Sequence, residues 1–481
     1  MRARANRSTA TPRRFGAAAQ AAGTMTHDLG GFDQINGIEQ NRSRRKTAAR
    51  DDGEQARKSL PWPVLLFLIS LLIPWIISIG PLRMSAYRFV LIGMLIPCLI
   101  MWLGGKAGRI RIADISLILY CFWCFLAIIM IHGFAYAIQP AGMIFIETVG
   151  AYLLARCFIR DADDFYNVIV ALFWIVAMLL PLSVFEAVTG RNIAREFFAS
   201  LYQTVPDSYL EPRWGLRRVQ SIFEHPILYG VFCASILTLV HLVLGHGKSL
   251  TQRWLKTATV GIAAFLSLSA GPMTALAAQA MLLGWNWVFN AVEARWRILG
   301  SFALLAVVSI ELLSNRSVPV IFVSYFAFDE QSARVRIEIW RYGSASALNH
   351  PLFGVGFNEW ERAPWMTTSI DMFWIIDAVR HGIPAEFLMM LAFFAVYLPV
   401  AFKKGLTERL SVFRTAFVIS MTGFFLVGWT VYFWNATYVI FLFMLGSGVW
   451  LLDQQTHISA DQRRTPMRAM GKSAASGPRQ N

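Results

Sequence analysis

Three arginines, a glutamate and a histidine crowd one short stretch of the chain, Arg213-Trp-Gly-Leu-Arg217-Arg218-Val-Gln-Ser221-Ile-Phe-Glu224-His225-Pro226-Ile-Leu-Tyr-Gly230. The chemistry available to it is anion binding. Guanidinium groups are planar, stay charged and pair bidentately with the oxygens of a pyrophosphate. Arg218 and Arg217 are the candidate anion ligands, with Glu224 and His225 beside them. Pro226 suits the first turn of a helix, and His225 has a second use there as a partner for the backbone. A later stretch carries Arg334-Val-Arg336-Ile-Glu-Ile-Trp340-Arg341, then Asn349-His350-Pro351-Leu-Phe-Gly354-Val-Gly356, then Ser369-Ile-Asp371-Met372-Phe-Trp374. Its spacing predicts a helix over 334–348, with Arg334 and Arg341 on one face and Trp340 one turn beyond Arg336. Gly354 and Gly356 permit a tight turn or close approach of backbone to a ligand. No strand precedes them, so this GxG does not open a dinucleotide site.

The elements that position these residues are membrane helices. Of 481 residues 56% are hydrophobic and only 15% charged, against roughly 25% charged in an ordinary soluble domain. That composition argues against a soluble enzyme, a disordered chain and a disulfide scaffold. Twelve apolar stretches are long enough for bilayer helices of about 20 residues: roughly 60–79, 85–104, 113–133, 138–156, 165–186, 226–245, 254–270, 273–291, 298–314, 383–402, 415–431 and 434–452. The Gly271-Pro272 dipeptide either separates two of these helices or kinks one. Residues 1–59 and 453–481 are polar and basic, and are expected to be disordered cytoplasmic tails. With both termini cytoplasmic, 31 of the 44 Lys and Arg fall on the cytoplasmic side, as the positive-inside rule requires. The net charge of +15 therefore reflects orientation in a membrane, and no nucleic-acid partner is expected. The two arginine-bearing stretches lie in long outer loops, 187–225 and 315–382. The second is rich in Trp and is expected to fold against the membrane, partly as amphipathic helices.

RxxSxFxHPxxxG entering a span, followed by a late outer loop with RxxxW and HPLFGVG, resembles the bacterial O-antigen ligase and polysaccharide polymerase superfamily. The resemblance spans roughly 60–450, and the SxDxFW segment around Asp371 looks closer to exopolysaccharide-type members. It implies an all-helical membrane glycosyltransferase C-like fold of about twelve helices, comprising a catalytic domain over 60–452 with a large periplasmic loop. It also implies an enzyme of the inner membrane acting at the periplasmic face. The donor would be an oligosaccharide on undecaprenyl diphosphate, and the acceptor a glycan or lipid-linked glycan. Polysaccharide assembly and export proteins would be possible partners. An acceptor hydroxyl would displace the lipid diphosphate with inversion. Arg218 and Arg336 match family arginines that would neutralise the leaving group. Trp340, His350, Gly354 and Gly356 would line the substrate site.

One position departs from the family pattern. Many members carry His-Asn, the histidine acting as general base, where this chain has Asp371-Met372. An aspartate also accepts a hydroxyl proton, best when partial burial raises its pKa. His350 and His381 are nearby alternatives. The acidic run Asp161-Ala-Asp163-Asp164 reads as a solvated helix start, and Cys121-Phe-Trp-Cys124 as small apolar helix residues. No metal and no cofactor is expected. A transporter of lipid-linked saccharides and a catalytically inactive assembly partner are the competing readings.

Overall fold

The computed structural model describes residues 59–454, except 81, 317, 319, 322, 323 and 325–329. The expected tails, 1–59 and 453–481, lie almost wholly outside the described residues. Within them the chain is mostly helical, with a two-stranded antiparallel hairpin, Ile76–Ile79 and Leu82–Ser85, near the start. Among the described residues, eight helices are long and apolar enough to cross a membrane: Ala86–Leu103, Ile112–His132, Phe134–Phe158, Ala162–Thr189, Arg295–Leu313, Ile383–Phe402, Glu408–Gly428 and Asn435–Asp453. Each coincides with one of the twelve expected spans. Asn435–Asp453 is 83% buried among its neighbours, whereas Arg295–Leu313 is apolar yet has no buried residue. A helix apolar on all sides and packed on none needs an apolar solvent. The chain is a multi-pass membrane protein.

The other four expected spans take different forms, for local reasons. Only Trp62–Ser70 of the first is helical. Pro74 follows, and a run of β-branched isoleucines pairs across a turn at Gly80. The stretch 226–245 is divided into Pro226–Ser235 and Leu237–Leu242. Side chains from two other helices take up the backbone groups freed at that break. Gln279 donates to the carbonyl of Ala234 at 2.7 Å and accepts from the amide and hydroxyl of Thr238, while Ser420 donates to the carbonyl of Ser235. An inserted side chain of this kind is a recognised cause of a helix break. The stretches 254–270 and 273–291 form Leu250–Phe265 and Ala270–Val288. The chain turns at Leu266–Ser269, and Gly271-Pro272 falls in the first turn of the second helix, where proline costs no hydrogen bond.

Two further features position the site. Phe134–Phe158 contains a π-helical turn at Ile146–Gly150, one residue wider than the α-helix around it. At the start of Ala162–Thr189, Asp161 caps the amides of Asp163 and Asp164, which accounts for the acidic run. Close by is a buried knot. Arg156, 1% exposed, donates to the carbonyls of Ala107 and Arg109, lies 3.8 Å from Asp114 and 3.6 Å from Asp453, and Asp453 also pairs with Arg111. All five cysteines are buried and free. The stretch 315–382 contributes the helices Glu330–Asn349 and Phe373–His381, which share a small apolar core with Trp360, Met366 and Met372.

Candidate functional site

The segment 213–225 is held in place by groups from three neighbouring segments. Arg213 pairs with Leu216 through the backbone, and Val219 donates its amide to Leu266. Glu186, near the end of Ala162–Thr189, accepts the amides of Gln220 and Ser221 at 3.1 and 3.0 Å. Asn192 donates to the carbonyl of Ser221, which sits at φ +52°. Arg217 belongs to this scaffold: it pairs with Asp207 at 2.5 Å, donates to Gly190 and lies 3.8 Å from Glu186.

Arg218 is placed differently. Its Nη2 donates to the hydroxyl of Ser269 at 2.9 Å, and its Nε is buried without a hydrogen-bond partner. Burial, and then the charges of Arg213 and Arg336, hold its pKa down to about 10, so it remains charged at neutral pH. Arg336 comes from the late loop, on Glu330–Asn349, and its Nε donates to the carbonyl of Thr430 at 2.9 Å. Arginines from the two separate stretches therefore feel each other's charge. His225 caps the helix Pro226–Ser235 through Nδ1, which accepts the amide of Ile227 at 3.2 Å. Burial and Arg218 lower its pKa to about 4, and Asp371 pulls the other way. Asp371 is half-buried and accepts from the hydroxyl of Ser369 at 2.5 Å. The structure thus brings Arg213, Arg218, Arg336, His225 and Asp371 into one electrostatic neighbourhood. A cluster of cations that depresses one member's pKa favours an anion there.

Glu224 leads away from that cluster. Burial pushes its carboxyl upward, against Asn435 and Arg88. It accepts from Asn435 at 3.2 Å, whose side-chain oxygen accepts from Arg88 at 2.9 Å. Arg88 in turn pairs with Glu147 at 2.8 Å, and Tyr87 donates to the same carboxylate. Arg88, Glu147 and Asn435 of this network line a cavity of about 420 Å³. Trp434, Tyr432, Phe357, Asp377, Arg380 and His381 also line it. Trp434 lies 6.0 Å from His225, ring to ring, and connects the cavity with the arginine cluster.

The glycines, Trp340 and His350 occupy supporting places. Gly354 and Gly356 adopt φ of +67° and +62°, and a Cβ on Gly354 would lie 2.5 Å from the backbone of Arg380. The amides of Val355 and Gly356 bond the carbonyls of Val379 and Arg380, each at 2.8 Å. The tight turn thus closes the end of the helix that carries Asp377, Arg380 and His381. Trp340 packs edge-on against Trp429 at 5.8 Å. His350 sits 3.2 Å from Glu361 on the surface.

The motif reading missed Arg88, Glu147 and Asn435. A signal was present: an ionisable residue inside an apolar span is a functional candidate by default, and Arg88 and Glu147 are both of that kind.

An arginine cluster beside an aromatic-lined cavity in a membrane protein has the chemistry suited to an anionic, partly polar ligand. Residues 256–374 match the family model Wzy_C, O-Antigen ligase. Over that stretch the chain is similar to the O-antigen ligase and polymerase superfamily, as the motifs implied, and the activity of that type is glycosyl transfer on lipid-linked glycans. Arg336, Trp340, His350, Gly354, Gly356 and Asp371 fall within the match, and Arg217, Arg218, Glu224 and His225 precede it. No curated protein matches the chain.

Proposed function

We propose that this protein transfers an oligosaccharide from undecaprenyl diphosphate to a sugar hydroxyl at the periplasmic face of the inner membrane, polymerising or ligating repeat units of an exopolysaccharide or O-antigen. The observation that carries this reading is that Arg218 lies within the field of Arg336 from the late stretch, and His225 within the fields of Arg218 and Asp371. The acceptor oxygen attacks the anomeric carbon as its bond to the diphosphate breaks, so the linkage inverts. The proton passes to the carboxylate of Asp371, and the charge gathering on the departing diphosphate meets the two guanidinium groups. Arg217 holds the arginine loop in register, and the Gly354–Gly356 turn holds the helix behind it. No step calls for a metal or a cofactor.

A multi-pass topology with both termini cytoplasmic suits this arrangement. The 28-residue helix Ala162–Thr189 is about 42 Å long at 1.5 Å per residue, more than the roughly 30 Å hydrocarbon core. The Arg156 knot and the Arg217–Glu186 contact lie at its opposite ends.

The test is conversion by the purified protein of a lipid-diphosphate oligosaccharide. Longer lipid-linked chains indicate a polymerase, and transfer to another acceptor indicates a ligase. Arg218→Ala and Arg336→Ala are each expected to lower product about 100–1,000-fold with expression retained. Near-normal product from both overturns the proposal. So does movement of intact lipid across vesicles without new glycosidic bonds. Full activity in Asp371→Asn removes that residue as the base.

A further inference from the structure

The cavity and the arginine cluster adjoin, but they offer a ligand different charge balances: the cluster is cationic and the cavity near neutral. Among the cavity's lining groups two arginines, Arg88 and Arg380, face two carboxylates, Glu147 and Asp377. Arg88 is already paired with Glu147 at 2.8 Å. A diphosphate, which only accepts hydrogen bonds and carries negative charge, would meet repulsion from both carboxylates. A sugar ring would not. Its hydroxyls donate to carboxylates and accept from guanidinium and imidazole groups, while its C–H face lies against aromatic rings, which Trp434, Tyr432 and Phe357 supply.

His381 points the same way. Its side chain is only 5% exposed, yet neither ring nitrogen has a hydrogen-bond partner. Asp377 lies 3.4 Å from Nδ1, and its other oxygen accepts from the hydroxyl of Tyr120 at 2.9 Å. A buried polar group without a partner is costly, and a ligand hydroxyl would remove that cost. The volume, about 420 Å³, lies in the range of small-molecule sites.

We propose that this cavity binds a sugar ring of the glycan, with His381 and Asp377 hydrogen-bonding its hydroxyls and Trp434 packing on its face, while the diphosphate sits outside it on Arg218 and Arg336. The proposal rests on the glycosyl-transfer reading and adds a second subsite to it. The sugar is either the one attached to the donor diphosphate or the terminal sugar of the acceptor.

The experiment is equilibrium binding of radiolabelled probes to the full-length protein in nanodiscs. The probes are a repeat-unit oligosaccharide free of lipid, the same oligosaccharide on undecaprenyl diphosphate, and undecaprenyl diphosphate alone. His381→Ala is expected to weaken a sugar-bearing probe about tenfold, the scale of one lost hydrogen bond, and to leave undecaprenyl diphosphate alone within about twofold. Weakening of the free oligosaccharide assigns the subsite to the acceptor. Weakening confined to the lipid-linked form assigns it to the donor sugar. Tyr120→Phe, which removes one hydroxyl and keeps the ring, is expected to act in the same direction by a smaller factor and guards against misfolding of the first variant. Equal loss for the sugar-free lipid, or unchanged binding of both sugar probes in both variants, overturns the proposal. If the variants weaken sugar binding but the wild type forms no glycosidic bond, the subsite stands and the transferase reading fails.

Discussion

Arg156 and Arg218 are two buried arginines in very different company. Arg156 lies between two carboxylates and two backbone carbonyls. Arg218 has one neutral hydroxyl, and the charges that act on it are two more arginines. A guanidinium that has been given its counter-charge holds a fold together. One gathered with other cations is waiting for an anion. The contrast teaches that the partners of a basic residue, more than its burial, separate structure from function.

Removing either arginine tests that distinction, because the two variants should fail in different assays. Arg156→Ala strands Asp114 without its cation and should cost about 3–5 kcal/mol of stability, read as a lower thermal midpoint in detergent, with turnover per folded molecule unchanged. A loss of turnover without loss of stability would dissolve the contrast. Arg218→Lys keeps the charge and discards the planar fork, so product should fall about a hundredfold while the thermal midpoint holds. Gly354→Ala forces a Cβ toward the backbone of Arg380 at a positive φ, and should cost roughly 1–3 kcal/mol, visible both in unfolding and in activity. The last effect, visible only below neutral pH, concerns His225. Its pKa falls from about 6.5 in the unfolded chain to about 4 in the folded one. Between those values the unfolded chain holds a proton that the folded site does not, so stability is complete above about pH 6.5 and declines as pH drops toward 4. His225→Asn should flatten that slope in thermal unfolding across this range, and an unchanged slope would show that the histidine is not its source.

The legible part of the site was local. Arg217, Arg218 and His225 stand within nine residues, so their clustering marked them, while Arg336, four residues before Trp340, was marked by the family resemblance. The Arg88–Glu147–Asn435–Glu224 network joins four separate segments, and no window of sequence contains it. Spans behaved likewise. Stretches such as 383–402, apolar except for Glu386, became single helices, because nothing competes with the helical backbone there. The stretch 226–245 is equally apolar but divides at Ile236, since the cause is Gln279 arriving from another helix. Which of two arginines carries a counter-charge was equally beyond the sequence, because Asp114 and Asp453 reach Arg156 only through packing.

The widened turn at Ile146–Gly150 has a consequence for how this chain can vary. Each residue advances an α-helix by about 100°. The surplus residue therefore lets Glu147 look toward the cavity while Arg156, further along, keeps its orientation toward Asp114. A single-codon deletion between positions 146 and 150 would leave composition and hydropathy almost untouched, yet it would turn one of these faces away from its partner. This segment should therefore accept substitutions far more readily than changes of length.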